Sequence, residues 1–261
     1  MMRPSAALLN IERRLRLLIR CGSTAILLMA AMAAGCGGSA SDHVSQISEK
    51  ETARTEPSFF AQADAVRQGD SDEIRLETKA ISDDDLMAIE ALSGLRTLIL
   101  DHSDNRIGDE GSGRLARLPA LGHLRIRGGS IGDVGVRSLA SAASLRILNL
   151  PQSRISDAGL AELGKLPALE QIRLGSPKIT DAGVVALKSF PALKRVHLIG
   201  PAITDAALKT FQEMPRLESL YLDQVEVSDA AYNALFQARP DLHVHINQKH
   251  HDRDPQGQRD H

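Results

Sequence analysis

The chain has 261 residues, with 31 lysines and arginines against 33 aspartates and glutamates and a formal net charge of −2. This intermixed balance gives no basic footprint for nucleic acid, and two tyrosines without tryptophan offer no platform for stacked bases. No phosphate loop, nucleophile elbow or HExxH motif appears, so we predict neither a catalytic centre nor a cofactor.

The N-terminal segment has the order of a bacterial export signal. Residues 1–20 contain five arginines, and residues 21–35 follow without a charge. That uncharged run is short for a membrane span, which needs about 20 residues. The ending Ala33-Ala34-Gly35-Cys36 resembles a lipobox, in which a signal peptidase cuts before a cysteine that becomes lipid-modified. An uncleaved anchor and a start codon assigned too early are the alternatives.

These features predict a signal peptide at 1–35, a lipid on Cys36 and a polar, flexible tether at 36–56. Residues 57–70 then form an N-terminal cap. Its apolar positions predict a short helix that covers the end of the domain that follows, or else binds a partner. They are Phe59, Phe60, Ala63 and Val66.

From residue 71 onward, one pattern recurs with a period of about 24 residues. In the copy 169–192, Ile172 and Leu174 alternate with a polar residue as in a strand with one buried face. Apolar residues from Val184 onward lie three apart, as on one face of a helix. Copies begin near Ser71, Leu95, Leu121, Leu145, Leu169, Leu193 and Leu217, and a closing fragment begins near Leu242.

The start of each helix carries capping signals. Thr180 is a suitable N-cap, and Asp181 places a negative charge at the positive end of the helix dipole. The same pair of capping residues recurs as Ser156-Asp157 and Thr204-Asp205. A glycine slot recurs one turn later, which indicates a neighbour too close for a side chain. Its members are Gly135, Gly159 and Gly183.

A single copy cannot bury enough apolar surface to fold alone, so the copies must stack. Parallel strands lie about 4.8 Å apart and helices need about 10 Å, so the stack bends with its strands on the concave side. Strand–helix–strand units of this kind coil in a right-handed sense.

The pattern LxxLxL followed by I(T/S)DAGL resembles the leucine-rich repeat, in the bacterial subtype similar to the ITD-containing repeats of F-box proteins. The resemblance covers 71–247 and implies an α/β class: a right-handed solenoid of about seven repeats, with a parallel sheet on the concave face and short helices on the convex face. No F-box segment precedes it, so a ubiquitin-ligase adaptor role is not implied.

The chain departs from the family's commonest form, in which an asparagine bonds the turn backbone in every repeat. Only Asn105 matches that slot, and the other repeats have Lys79, Gly129, Ser153, Pro177, Pro201 and Val225 there. Either water or neighbouring backbone replaces the asparagine, or the turns are looser than usual.

Strand alternation turns two rows of residues onto the concave face. One row is Arg75, Ile99, Arg125, Asn149, Arg173, His197 and Tyr221; the row before it is Glu73, Thr97, His123, Ile147, Gln171, Arg195 and Ser219. With Arg127, they predict a partner-binding surface of His123, Arg125, Arg127, Arg173, Arg195, His197 and Tyr221. Arginine forks hold carboxylates, which favours an acidic protein segment or an anionic glycan, and Ile99, Ile147 and Ile199 would add apolar contact. The alternative is that these strand positions are polar because they face water.

Two features remain open. His243 and His245 alternate on the last strand and could ligate a metal, with further histidines in the tail, but we predict no metal site and a disordered tail at 248–261. The longer copy with the segment 101–105 has either a neutral loop or a binding loop.

The sequence thus predicts an exported, monomeric, non-catalytic binding module, lipid-anchored in the bacterial cell envelope, at the outer membrane or the periplasmic face. It would mediate protein–protein interaction through its concave face. A structural envelope protein that packs through its convex helices is the alternative.

Overall fold

The computed structural model describes residues 56–250, in which short strands alternate with short helices. The predicted signal peptide, Cys36, nearly all of the tether and residues 251–261 lie outside that range. The strands are β1 Glu73–Leu76, β2 Thr97–Leu100, β3 His123–Ile126, β4 Ile147–Leu150, β5 Gln171–Gly175, β6 Arg195–Ile199, β7 Ser219–Asp223, β8 His243–Ile246 and β9 Lys249–His250. The helices are α1 Phe59–Gln68, α2 Asp109–Leu115, α3 Asp133–Leu139, α4 Asp157–Leu163, α5 Asp181–Ala186, α6 Asp205–Gln212 and α7 Asp229–Ala238. Asp85–Ile89 and Leu187–Ser189 are 3-10 helices.

The sheet follows the order of the chain. Strands β1 to β8 pair in parallel with their sequence neighbours, and β9 pairs antiparallel with β8. Equivalent residues of successive repeats lie opposite each other, so Ile172 is in register with Leu148 on one side and Val196 on the other. The protein is a leucine-rich-repeat solenoid with a concave sheet and convex helices, and the predicted fold class is confirmed.

The core is one continuous apolar column that runs through all the repeats. Leu169, Ile172 and Leu174 have no exposed surface, and the helix residues Val184 and Leu160 are equally buried. Because each repeat covers the apolar face of the next, no copy has a complete core of its own.

The predicted N-caps are confirmed. The hydroxyl of Thr180 accepts a hydrogen bond from the backbone N–H of Ala182 at 3.2 Å, and Ser156 and Thr204 make the equivalent bond. Each bond satisfies one of the N–H groups that the first helical turn leaves without a partner.

The aspartate that follows each cap also bonds the next repeat. Asp157 Oδ1 accepts a hydrogen bond from Thr180 N at 2.7 Å, and its Oδ2 accepts one from the Thr180 hydroxyl at 2.6 Å. The donor lies 23 residues further along the chain, at the start of the adjacent helix. The same contact, with one or both oxygens, is made by Asp83, Asp109, Asp133, Asp157, Asp181 and Asp205, which we call the aspartate ladder.

The ladder explains the glycine slot. A Cβ atom on Gly183 would lie 2.3 Å from Asp157 Oδ1, and one on Gly159 would lie 2.2 Å from Asp133 Oδ1. The close neighbour predicted from the sequence is therefore the ladder carboxylate of the preceding repeat. The last two steps carry Ala207 and Ala231 at this position and keep their ladder bonds, so the methyl group is accommodated at those two steps, whereas the glycine steps leave no room for one.

Backbone contacts between repeats occupy the turns in which asparagine is missing. The N–H groups of Ser130, Arg154 and Ala202 each donate at 2.8 Å to a carbonyl of the previous repeat, on Ile107, Ile131 and Ile179 respectively. At these turns, neighbouring backbone replaces the asparagine of the commoner repeat, one of the alternatives left open by the sequence.

Both ends of the described solenoid are covered. Helix α1 buries Phe59, and the Gln62 side chain bonds the main chain of Arg75 on the edge strand β1, donating to its carbonyl and accepting from its N–H at 2.8 Å each. Such contacts mask an edge that would otherwise pair with another chain. At the other end, the buried guanidinium of Arg239 donates to the carbonyls of Met214 and Leu217.

A mutant cycle tests the coupling between the ladder and the glycine slot. Gly183→Ala should lower the free energy of unfolding by about 1–3 kcal/mol, because the new methyl group collides with Asp157. In an Asp157→Ala background, the same change should be neutral or favourable, since alanine is the better helix former by about 1 kcal/mol. Urea unfolding of the four proteins measures this coupling. Additive effects would contradict the proposed contact.

Candidate functional site

The strand register assembles the predicted rows on the concave face. Arg125, Asn149, Arg173, His197 and Tyr221 are successive partners in the middle row, which ends at His245. His123, Ile147, Gln171, Arg195 and Ser219 form the row before it, and a third row includes Gly175, Ile199 and Asp223. Neighbouring side chains in a row are therefore about one strand spacing, roughly 4.8 Å, apart.

Two basic residues of the middle row, Arg125 and His197, each have an acidic neighbour. Arg125 Nε lies 2.6 Å from Asp101 Oδ1, at ion-pair distance although the N–H is not aligned for a hydrogen bond. His197 Nε2 lies 2.9 Å from Asp223 Oδ2. The Asp223 side chain is only 8% exposed, and the Gln248 N–H bonds its other oxygen. Both acids hold their partners in fixed positions.

Arg173 differs from these two residues. No carboxylate in the range 56–250 forms an ion pair with it, and its Nε, like that of Arg125, is buried without a hydrogen-bond partner. Burial lowers the pKa of the Arg173 guanidinium, and the positive charges of Arg125 and Arg127 lower it further, while Asp223 opposes them. An arginine stays protonated under these conditions, so a partly buried positive charge lacks a fixed counter-ion.

Arg173 also lies between two hollows of the concave face. The larger pocket, of about 460 Å³, is lined by Arg127, Pro151, Gln152, Arg173, Ile199, Asp223, Gln224, Asn247 and Gln248. The smaller, of about 210 Å³, is lined by Asn149, Gln171, Ile172, Arg173, Arg195, Val196, His197 and Tyr221. Five of the seven residues predicted from the sequence therefore line these two hollows.

A stack of rings occupies the C-terminal half of the middle row. The Tyr221 ring lies 4.6 Å from His245 in a nearly parallel arrangement and 5.4 Å from His197 at a tilt of 31°. Burial lowers the pKa of His197, the Asp223 bond raises it and Arg173 lowers it again. The net shift is downward, which favours a neutral imidazole in the stack at neutral pH.

The remaining predicted residues are less enclosed or further away. Arg127 and Arg195 are exposed, and His123 is half-buried with a pKa lowered by burial and by Arg75 and Arg125. Ile99 is not the exposed contact that the alternation predicts: it is 3% exposed. Arg75 and Arg125 flank it in the row, and long arginine stems cover apolar neighbours in this way.

The two histidines of β8 lie side by side. Their Nε2 atoms are 2.6 Å apart, which is hydrogen-bonding distance. Within residues 56–250, no group of three or more histidine, cysteine, aspartate and glutamate side chains is arranged to hold a metal ion. In the same part of the chain, no helix combines the length and the apolar character needed to cross a bilayer.

Sequence reasoning missed Asp223 and the amides that surround the arginines. The contact between Asp223 and His197 joins two rows and two adjacent strands. Alternation along one strand does not reveal a contact of this kind. Gln152 and Asn247 follow the ends of their strands. Asn247 occupies the first position after its strand and Gln152 the second, so polar residues just beyond the strand ends were the available signal.

Solved structures of bacterial leucine-rich-repeat proteins are similar to this fold. Internalin C2 of Listeria monocytogenes has a TM-score of 0.51 at 18% identity, with 67% of this chain and 70% of that chain covered. A leucine-rich-repeat protein of Leptospira interrogans has a TM-score of 0.48 at 15% identity, covering 70% and 50%. An internalin (inlF) of L. monocytogenes has a TM-score of 0.45 at 17% identity, covering 79% and 77%. No family model and no curated protein matches the chain. At these identities the similarity concerns the fold alone, and the likeness to F-box repeats stays a prediction.

Leucine substitutions test whether Arg173 has a structural role. Arg125→Leu leaves Asp101 without its cation and should lower the free energy of unfolding by about 1–3 kcal/mol. Arg173→Leu, two strands away in the same row, should leave it unchanged or raise it, because a charge without a fixed partner is removed. Urea unfolding of both variants provides the comparison. An equal loss in the two variants would mean that Arg173 supports the fold.

Proposed function

We propose that the protein is an exported, lipid-anchored leucine-rich-repeat module that binds a protein partner through its concave face and catalyses no reaction. The observation that carries this proposal is the position of Arg173, a half-buried cation between two hollows with no acidic partner in the described residues. A residue that serves only to keep a sheet soluble is not expected to be a half-buried cation without an acidic partner, because that arrangement lowers stability.

The surface around Arg173 has the composition of a binding face. Arginine and tyrosine are the residue types enriched where proteins meet, and Arg127, Arg195 and Tyr221 surround the two hollows. Ile199 adds apolar contact in the larger pocket. These groups come from separate repeats, so the folded stack is needed to bring them together.

The membrane attachment is proposed from the sequence. Cys36 is the acceptor of the lipid, and residues 36–56 connect it to the folded repeats. Several acyl chains on one cysteine would hold the protein firmly at the membrane surface of the envelope, since a single chain gives only marginal binding.

One observation favours the structural alternative, in which the convex helices pack against other envelope components. Val134 on α3 and Val185 on α5 are 59% and 54% exposed on that side. Single exposed apolar residues are common on soluble proteins and need no partner. The concave face is therefore the better-supported surface.

Charge reversal on each face distinguishes the two functions. Arg125→Glu with Arg173→Glu should abolish capture of the partner from detergent-solubilised membranes, because both cations of the row become anions. The matched control, Arg137→Glu with Val185→Asp, changes exposed convex positions and should leave capture intact. Quantitative mass spectrometry of the captured proteins measures the outcome. Loss only in the control variant would favour packing through the helices.

Cys36→Ser tests the anchor separately. Without a thiol to acylate, the protein should move from the membrane fraction to the soluble fraction, while Cys21→Ser, within the predicted signal peptide, should change nothing. Fractionation and immunoblotting measure this. Persistence of the Cys36→Ser protein in membranes would contradict lipid attachment.

A further inference from the structure

The larger pocket is lined by more positively charged than negatively charged side chains. Arg127 and Arg173 both line it, and neither forms an ion pair with a carboxylate of residues 56–250. Asp223 is the one acid in its lining, and both of its oxygens are engaged, by His197 and by the Gln248 N–H. The pocket therefore has two guanidinium charges against one carboxylate, and both oxygens of that carboxylate are already hydrogen-bonded.

Two side-chain amides of the lining are oriented by the backbone. Gln152 Oε1 accepts from Gly128 N at 3.0 Å, and Asn247 Oδ1 accepts from Gln224 N at 2.9 Å. Because the oxygens must face these N–H groups, the amide assignment is fixed, and each NH₂ group remains a donor. Two amide donors beside two guanidinium groups suit an oxygen anion.

The chemistry of a carboxylate fits this donor set better than that of a neutral group. A planar carboxylate can take two parallel hydrogen bonds from one arginine fork and further bonds from the amides. It would also supply the counter-charge that Arg173 lacks.

The rings of the concave face favour a peptide over a glycan. Sugars commonly pack their apolar faces on an open aromatic ring, whereas the two faces of Tyr221 are occupied by His197 and His245. The other aromatic side chains of residues 56–250 are phenylalanines of helices or turns, and Tyr232 on α7 is buried. Exposed Arg195 and half-buried Ile199 instead give the mixture of charge and apolar contact that protein segments use.

We infer that the partner presents an acidic peptide segment and that one of its carboxylates enters the pocket between Arg127 and Arg173. This inference rests on the proposed function, because it assigns a chemical class to the partner of the same face. Arg173 binds the carboxylate at the junction of the two hollows, and Arg127 contacts it from the solvent-exposed side.

Binding of defined probes to the full-length protein in a non-ionic detergent tests the inference. Isothermal titration calorimetry with hexaglutamate should detect binding, and Arg173→Gln should weaken it about tenfold, as expected for loss of a charge-assisted hydrogen bond. A matched variant serves as the control. Arg137→Gln removes an exposed arginine of helix α3, away from the concave rows, and should have no effect.

Two further probes distinguish the source of the anion. Hexagalacturonate, a carboxylate glycan, and inorganic phosphate should each bind at least tenfold more weakly than hexaglutamate. Tighter binding of the glycan would overturn the peptide assignment. Equal binding of phosphate would mean that the pocket takes a small free anion.

The variants also separate this inference from the proposed function. Equal weakening by Arg173→Gln and Arg137→Gln would show attraction by overall charge and would overturn the inference. Partner capture could require Arg125 and Arg173 while hexaglutamate binding does not respond to Arg173→Gln. That result would support binding through the concave face and would contradict the binding of a carboxylate by Arg173. Labelling of arginine side chains with ¹⁵N gives an independent readout, since the Arg173 Nε–H resonance should shift on titration in the wild-type protein.

Discussion

Each aspartate of the ladder holds two repeats together through a single carboxylate. Five of the six lie at the first position of their own helix, where the charge stabilises the helix dipole, and accept hydrogen bonds from the cap of the next helix 23 residues later. Asp83 lies two residues before a 3-10 helix and accepts from Gly108, 25 residues later. Hydrogen bonds to a charged acceptor are stronger than neutral ones, at about 1.5–3 kcal/mol each. Six such steps fix the spacing of the helices. The strands on the opposite side are then held in register, and register places the side chains of the concave face in rows.

The arrangement of side chains in rows limits which charges can lie next to each other. Arginines that share a row repel one another, so each favours a nearby acid. Asp101 is that acid for Arg125, while His197 is a neutral imidazole hydrogen-bonded to Asp223. Between them, Asn149 is neutral and Arg173 is charged without a fixed acid, so the row has one position whose charge a ligand can balance. Arg173, the position without a fixed acid, is also the residue that lines both hollows.

Much of this architecture could be predicted from periodicity. The alternation around Ile172 and Leu174, the caps at Thr180 and Ser156, and the order of the rows follow from local chemistry that each copy repeats. The second role of Asp157 could not be predicted in the same way, because its partner lies in the next repeat and a charge at a helix start already has a sufficient local explanation. The recurrence of aspartate with serine or threonine 23 residues later is the signal that would have indicated it.

The chemistry of the site was less accessible to sequence reasoning. Alternation along the strands predicted which arginines lie on the concave face. Their role depends on which of them contact an acid, and those contacts join different rows and strands. Ile99 is buried although it lies in the same row, between Arg75 and Arg125. Such contacts depend on side-chain positions, which a repeat pattern leaves open.

The face that meets the partner can be observed directly by photo-crosslinking in living cells. Benzoylphenylalanine introduced at Gln171, within the concave rows, should form a crosslink to the partner, whereas the same group at Val185, exposed on the convex helix α5, should not. Crosslinks from Val185 without crosslinks from Gln171 would contradict binding through the concave face.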